Sequence, residues 1–539
     1  MLFHDAIAQA LAEHGVTTVF GVLGDANLYM MDSFQRKAGG HYYSASNENG
    51  AVLAANGYAR TSGQLGVCTV THGPAFTNTL TALTQGVREH TPLLLLAGDT
   101  PAAERANLQD IAQRPVALAA GAGFEQVRAP QTVFEDLATA IQRAWSESRP
   151  IVLNVPVDFQ WEEIEYQSVP SRLIGAQAVR PDPAALDAAV GIIASARKPV
   201  VLAGWGATSP EARAALLRLA DRLGAPVATT LRGKGLFTGE RFNLGIHGTL
   251  AHAIALDTLN ASDCLIAFGA GLNRWTTADG SLLAKKRVVQ VDVSRDSINR
   301  WAVADAGVIG DAAITADTIV TMLDEAGVKP TGFATPELAE RLAAGPEETY
   351  TDRSTDQSVD LRTALDMIDR AFPADRTLVL DIGRFIRHGL TRLSAPEPQA
   401  FVHTLDFGAI GLGMPTAVGA AFGRPGHPVL MVAGDGGFML GGLAEFSMAV
   451  RHRTDMVVFV MNDHAYGAEY IQFKNKNMDP TISTFDWPDL GPVGTALGGE
   501  GYTVHNLAEL EAVLAAIPNR TKPVLVDVKL DPAVQAADT

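Results

Sequence analysis

The chain has 539 residues, enough for three or four domains at roughly 150 residues each. Hydrophobic residues make up 47% and charged residues 19%, which supplies ample core and excludes a disordered chain. The 42 basic and 59 acidic residues leave a net charge of −17, which excludes a general nucleic-acid binder and disfavours an anionic membrane surface.

Short apolar runs alternate with amphipathic stretches along the whole chain. Ala6 to Glu13 reads as a helix and Thr18 to Val22 as a strand that runs into Gly-rich chain. His41 to Ala45 is strand-like and Glu48 to Arg60 helical. Gly66 to Val70 is a strand, and Thr77 to Glu89 is helical. Leu93 to Ala97 is apolar without alternation, as a strand buried on both faces must be, and Ile151 to Val155 closes the block. Tyr166 to Pro183 is rich in Pro and polar residues and reads as a linker. A second block carries strands at Pro199 to Ala203, Asp263 to Phe268 and Arg287 to Val293, with a helix at Pro210 to Leu223. Lys329 to Gln357 is a second linker candidate. The third block begins near Asp360, with strands at Thr377 to Asp381, Val429 to Ala433, Met456 to Met461 and Pro523 to Val528. The expected fold class is therefore α/β, three doubly wound parallel-sheet domains spanning residues 1–165, 184–328 and 358–535. Cys68 and Cys264 are too few for a disulfide framework or a cysteine-rich zinc site. The first residues lack the basic start, apolar core and cleavage site of a signal peptide. No apolar run reaches the roughly 18 residues of a membrane span. A soluble, cytoplasmic protein is expected, with no nucleic-acid or membrane partner.

The sharpest local signal is Gly434-Asp435-Gly436-Gly437 directly after a strand. Gly436 and Gly437 let the backbone approach an anion closely. The helix that follows, around Leu443 to Arg451, is expected to aim its N-terminus at that anion. The next strand ends at Asn462-Asp463, with 25 residues separating Gly436 from Asn462. Asp435 and the Asn462 side-chain oxygen thus sit at the C-terminal ends of two strands, where open α/β sheets bind ligands. Hard oxygen donors beside a diphosphate suit Mg²⁺. A plain glycine turn is the competing reading of the motif alone.

The segment resembles the signature of the thiamine-diphosphate-dependent enzymes, GDG followed some 25 to 30 residues later by NN. The nearest members are the acetolactate synthases, within the wider group that holds the pyruvate oxidases and 2-oxo acid decarboxylases. The resemblance implies that Asp435, Asn462 and the main chain of His464 hold Mg²⁺, with Gly434, Gly436, Gly437, Ala465 and Tyr466 lining the thiamine diphosphate. This chain departs at the second Asn, which is Asp463.

The family also needs a glutamate that hydrogen-bonds the aminopyrimidine N1′ of the cofactor. Glu48, at a strand-to-helix junction, resembles it; a helix-capping Glu, favourable by up to about 1 kcal/mol, is the other reading of that position. Thr71-His72-Gly73-Pro74 resembles the family's Gly-Pro-Gly loop, with Ala75 in place of the last Gly. Phe407-Gly408-Ala409-Ile410-Gly411 resembles the loop that bends the cofactor. The carbonyl of Gly408 would accept from its amino group, and Ile410 would wedge beneath the rings; a core isoleucine is the plainer reading. Asp381-Ile382-Gly383-Arg384-Phe385 resembles a second diphosphate loop, in which Arg384 is either a phosphate partner or a surface arginine. The resemblance implies pyrimidine-binding, central and diphosphate-binding domains. It also implies a homodimer or homotetramer in which Glu48 and Asp435 of one site come from different chains.

The substrate clues compete. Gly24-Asp25-Ala26-Asn27-Leu28 resembles the GDxNL of simple 2-oxo acid decarboxylases, whose paired histidines are absent. Gln109-Asp110 and Gly245-Ile246-His247-Gly248-Thr249 resemble acetolactate synthases instead. Phe268 to Arg274 resembles acetolactate synthases and oxalyl-CoA decarboxylases, without the Arg of FAD-binding members. The lone Gly204-Trp205-Gly206 suits a structural turn, so FAD or ADP in the central domain stays open and unindicated. Asp25, His72, Gln109, Tyr466 and Glu469 are candidates to face a small carbonyl substrate, with Asp25 and His72 as proton donors. A capping Asp, a structural His and a core Tyr are the alternatives. The expected activity is a Mg²⁺-dependent lyase or carboligase acting on a 2-oxo acid or 2-hydroxyketone. An acyl-CoA or aldehyde lyase of the same family is the alternative, and an inactive cofactor-binding homologue is the reading from another class.

Overall fold

The computed structural model describes residues 1–101, 104, 106–171, 173, 177–345 and 350–534. Three six-stranded sheets carry the fold. The first holds β1 (Thr18–Gly21), β2 (His41–Ser44), β3 (Gly66–Val70), β4 (Leu93–Asp99), β5 (Gly123–Gln126) and β6 (Pro150–Pro156), in the order β2-β1-β3-β4-β6-β5. The second holds β7 (Pro199–Ala203), β8 (Val227–Thr229), β9 (Asn243–Ile246), β10 (Cys264–Phe268), β11 (Arg287–Asp292) and β12 (Ala306–Ile309), in the order β12-β11-β10-β7-β8-β9. The third holds β13 (Thr377–Leu380), β14 (Phe401–His403), β15 (Val429–Gly434), β16 (Met456–Asn462), β17 (Glu500–Val504) and β18 (Val524–Lys529), in the order β14-β13-β15-β16-β18-β17. The pairings are parallel, as in β15 with β16, where Val429 faces Met456 and Gly434 faces Met461.

Central strands are apolar from end to end because helices cover both faces. Every residue of β3, β7, β10 and β16 is buried. The short edge strands differ. In β12 buried and exposed residues alternate, and β17 is mostly half-buried. Six strands that the apolar pattern does not announce are β5, β8, β9, β12, β14 and β17, five of them sheet edges and β8 next to one.

Two compact units emerge. One comprises Met1–Leu173, Asp352–Leu393 and Val402–Thr539, so the first and third sheets share a unit; the other comprises Ile174–Thr351 and Ser394–Phe401. Inside the larger unit, helix Glu48–Ser62 lies against helix Gly413–Gly423. Their backbones touch at glycines. A Cβ on Gly57 would lie 2.0 Å from the Thr416 carbonyl oxygen, and one on Gly419 would lie 1.8 Å from that of Ala54.

Two expectations need correction. The segment expected as one helix from Thr77 to Glu89 is a short turn of helix, Pro74–Thr77, followed by a helix over Leu80–Glu89. The helix expected to begin near Leu443 begins at Asp435: Asp435–Gly437 is helical, Phe438–Gly442 forms a π-helical stretch, and Leu443–Arg451 continues as α-helix. The glycines carry the helix back to the strand end because Gly437 and Gly441 pack on the Gly411 backbone, where a side chain has no room. The first linker candidate has no regular element among its described residues before the helix Pro183–Ser195, and the second contains the helix Pro336–Ala344. No helix among the described residues is long and apolar enough to cross a membrane.

Candidate functional site

Three loops at the C-terminal ends of β13, β15 and β16 meet around a cavity of about 220 Å³. Gly383, Arg384 and Phe385 line it from the first loop, Gly434 to Gly437 from the second, and Asp463, Ala465 and Tyr466 from the third. Gly408 and Ile410 complete the wall, and Glu469 also borders it. Parallel strands explain the gathering, since all three chains leave the sheet on one edge.

Asp435 is buried, with 1% of its surface exposed, and accepts a 3.0 Å hydrogen bond from the indole N–H of Trp487. Burial, with the neighbouring carboxylate of Asp463, pushes its pKa up to about 7. Burial also raises Asp463, against the Arg384 guanidinium 3.0 Å away. Asn462 is fully buried. Its amide N–H donates to Asp527 (2.8 Å), and its oxygen accepts from the His464 backbone N–H (3.0 Å). Asp527 in turn lies 2.8 Å from the Lys529 ammonium and accepts from the Leu490 N–H. His464 has φ 55°, a left-handed conformation that turns the chain sharply after β16, and its carbonyl accepts from Phe485 N–H.

A divalent cation fits this wall on chemical grounds. The nearby guanidinium of Arg384 pairs with Asp463, which leaves Asp435 with one side-chain donor, Trp487, and backbone N–H groups that burial outweighs, so its ionised form is under-compensated. The carboxylate of Asp435, the amide oxygen of Asn462 and the His464 carbonyl are hard oxygen donors of the kind Mg²⁺ would complete with water and phosphate, and of the three only Asp435 borders the cavity. Among the described residues no cluster of three His, Cys, Asp or Glu side chains could hold a metal instead. The glycines also have intramolecular reasons to be glycine: a Cβ on Gly436 would lie 2.6 Å from the Tyr466 ring, and one on Gly437 would lie 3.1 Å from Asp381 Oδ2.

Glu48 opens the helix Glu48–Ser62, where Asn47 caps by accepting from Gly50 N–H. Its carboxylate accepts a 3.0 Å hydrogen bond from the Asn78 amide. The loop before it is gripped by Glu445, which is fully buried and accepts from the backbone N–H groups of Ser46 and Asn47. Gly50 leaves space for that carboxylate. In one protomer Glu48 does not line the cavity around Asp435; its neighbours Asn47, Asn49 and Asn78 border a separate hollow with Leu440 and Gly441.

The other candidates gather at the same edge of the first sheet. His72 is buried, with Nδ1 3.2 Å from Thr71 Oγ1. Burial holds its pKa below the usual imidazole value, opposed by Asp99 and Asp25. A Cβ on Gly73 would meet the Gln109 carbonyl at 2.1 Å, so Gln109 lies directly beside this loop. Asp25 is exposed, and its carbonyl accepts from the Gln160 amide. In the smaller unit, Gly204 and Gly206 pack on Gly269, with a Gly204 Cβ 2.1 Å from the Gly269 oxygen; backbone contact alone accounts for those glycines. His247 is buried there, bonded to the Thr276 carbonyl, and burial lowers its pKa to about 4.

Trp487, Asp527, Asn78 and Glu445 are the residues that motif reading missed. Each acts on a motif residue from elsewhere in the chain, and none belongs to a local pattern.

Comparison with known proteins bears on this arrangement directly. Residues 1–120 match the thiamine pyrophosphate enzyme N-terminal TPP binding domain, residues 186–319 the central domain, and residues 381–528 the C-terminal TPP binding domain. The chain is 26% identical to a probable sulfoacetaldehyde acetyltransferase of Rhizobium meliloti, over 98% of this chain and 94% of the relative. It is 26% identical to a probable acetolactate synthase large subunit of Methanocaldococcus jannaschii, over 98% and 92%. It is 27% identical to a probable 2-ketoarginine decarboxylase of Pseudomonas aeruginosa, over 95% and 91%. With three matched domains in order and three parallel sheets to carry them, the chain belongs to the thiamine pyrophosphate enzyme family.

Proposed function

We propose that this protein is a thiamine-diphosphate- and Mg²⁺-dependent lyase or carboligase acting on a 2-oxo acid or 2-hydroxyketone, in the manner of an acetolactate synthase. The observation that carries the proposal is the under-compensated Asp435 carboxylate in a glycine-rich cavity at the strand ends. When bound, thiamine diphosphate supplies the electron sink for making or breaking a bond beside a carbonyl. Asp435, Asn462 and the His464 carbonyl hold the metal. Gly383 and Gly434 to Gly437 let backbone approach the diphosphate. The Gly408 carbonyl and Ile410 orient the rings, and Glu48 shares a proton with the pyrimidine N1′. Asn78 and Glu445 keep Glu48 in place. His72, Asp25 and Gln109 serve the substrate, with proton transfer at the His72 imidazole and the Asp25 carboxyl.

The proposed organisation places residues 1–165, 184–328 and 358–535 as pyrimidine-binding, central and diphosphate-binding domains. The smallest active unit is a homodimer, since within one chain Glu48 does not line the cavity around Asp435. No nucleotide in the central domain is part of the proposal, because the glycines there are used in packing. The relatives are named as acetyltransferase, synthase and decarboxylase, so the choice among these reactions rests with the substrate-facing residues.

Calorimetry with thiamine diphosphate and Mg²⁺ tests the reading: wild type gives saturable heat that chelation abolishes, and absence of heat ends the proposal. Glu48→Gln is expected to keep cofactor affinity within about threefold and to lose C2 proton exchange by roughly 10²-fold or more, the scale of a general acid–base contribution. Unchanged exchange removes Glu48 from the mechanism. Pyruvate turnover scored separately for CO₂, acetoin and acetolactate separates decarboxylase from carboligase.

A further inference from the structure

At the turn after β16, where the signature that this segment resembles has a second Asn, this chain has Asp463. The substitution puts a carboxylate into the wall of a cavity proposed to receive a diphosphate. It is not a surface charge, because Asp463 is 4% exposed. Unopposed, it would repel the anion and would also work against Asp435.

It is opposed from the neighbouring loop. The Arg384 guanidinium reaches Asp463 Oδ2 at 3.0 Å, with its side chain 12% exposed. The same guanidinium donates to the carbonyl of Pro532 at 3.1 Å and to that of Val534. Gly467 covers the pair: a Cβ there would lie 2.3 Å from Asp463 Oδ2 and 2.9 Å from Arg384 Cδ. The guanidinium is thus committed to three acceptors of the protein and held by packing, which is not the posture of a side chain waiting for phosphate.

We propose that Arg384 and Asp463 form one charge-neutral unit in the cavity wall, with Arg384 a positioning residue that cancels Asp463 instead of binding phosphate itself. The inference rests on the reading that the cavity takes thiamine diphosphate. It makes the two positions a pair in which Asp463 is not tolerable for anion binding without Arg384, whereas Arg384 is dispensable once Asp463 is neutral. The Asx-type turn is independent of the charge, since Asp463 accepts from the Ala465 N–H and an Asn oxygen does the same.

A double-mutant cycle decides it, read by calorimetry of thiamine diphosphate binding to the full-length protein with Mg²⁺. Arg384→Gln is expected to weaken binding about tenfold or more, about 1.4 kcal/mol. Asp463→Asn is expected to bind as tightly as wild type or more tightly. The double variant is expected to return to within about threefold of wild type. A double variant as weak as Arg384→Gln overturns the proposal, because Arg384 then acts on the anion directly. Weakening by Asp463→Asn alone overturns it too. If Arg384→Gln does not fold, the double variant, which leaves neither charge unpaired, decides by the same threefold limit. Loss of heat in the wild type would sink the functional reading and this inference with it; wild-type binding with multiplicative losses sinks this inference alone.

Discussion

Burial and hydrogen bonding compete at the single carboxylate of Asp381, and the outcome sets how the site responds to pH. Asp381 is fully buried after β13 and accepts from the N–H of Ile382 (2.8 Å), the hydroxyl of Thr404 (3.1 Å) and the N–H of Gly411 (2.9 Å). Those donors favour the ionised form, yet burial outweighs them and raises its pKa from 3.8 to about 6. The folded protein therefore keeps this proton to a higher pH than the unfolded chain does. The stability it contributes is complete below pH 3.8 and is lost as the pH rises through about 6. The full span is on the order of 3 kcal/mol. Asp381→Asn retains the shape and removes the titration. In metal-free protein, the melting-temperature advantage of wild type over Asp381→Asn should shrink as the pH rises from about 4 to about 8. An advantage that grows over that range contradicts the assignment. The consequence reaches the cavity, because Gly411 ends the loop that carries Gly408 and Ile410.

At the scale of elements, glycine has opposite meanings in two helices. Gly419 faces the backbone of helix Glu48–Ser62, with no room for a methyl group. Gly191, in helix Pro183–Ser195, has nothing within 4 Å of its Cβ position. Alanine favours any helix by about 1 kcal/mol over glycine. At Gly191 that preference acts alone, so Gly191→Ala should raise the melting transition of its unit. At Gly419 the methyl meets a carbonyl that cannot rotate away, and overpacking of this kind costs about 1–3 kcal/mol or more. Gly419→Ala should therefore lower the transition of the larger unit and loosen the helix that presents Glu48. Differential scanning calorimetry checks both; a stabilising Gly419→Ala removes the close crossing. The same contrast explains what a reader of the chain can and cannot see. Central strands such as Leu93–Asp99 and Met456–Asn462 declare themselves by unbroken apolar runs between helices. Edge strands such as β12 and β17 are half wet and lose that signature. Glu48, Asp435 and Asn462 stand out because their motifs are local. Trp487, Asp527 and Glu445 do not, because each meets its partner only through the fold: Glu445 lies 399 positions from Ser46.

The whole molecule poses the question of which chain completes a site. Glu48 leads a helix beside the first sheet, Asp435 leaves the third, and within one protomer Glu48 does not line the cavity around Asp435. If each site joins Glu48 of one chain to Asp435 of another, two inactive variants should rescue each other. In a mixed dimer of Glu48→Gln and Asp435→Ala chains, one interface site combines both substitutions and the other combines none. Random pairing makes about half the dimers mixed, each with one intact site of two, so activity should return to roughly a quarter of wild type. Sites built within single chains would each carry one substitution, and co-expression would restore nothing. Co-expression of differently tagged chains, followed by sequential affinity capture of the mixed species, gives a sharper reading. The captured dimer should bind one cofactor tightly per two chains and show about half of wild-type turnover. Equal inactivity in the captured species would mean that no site joins Glu48 of one chain to Asp435 of the other.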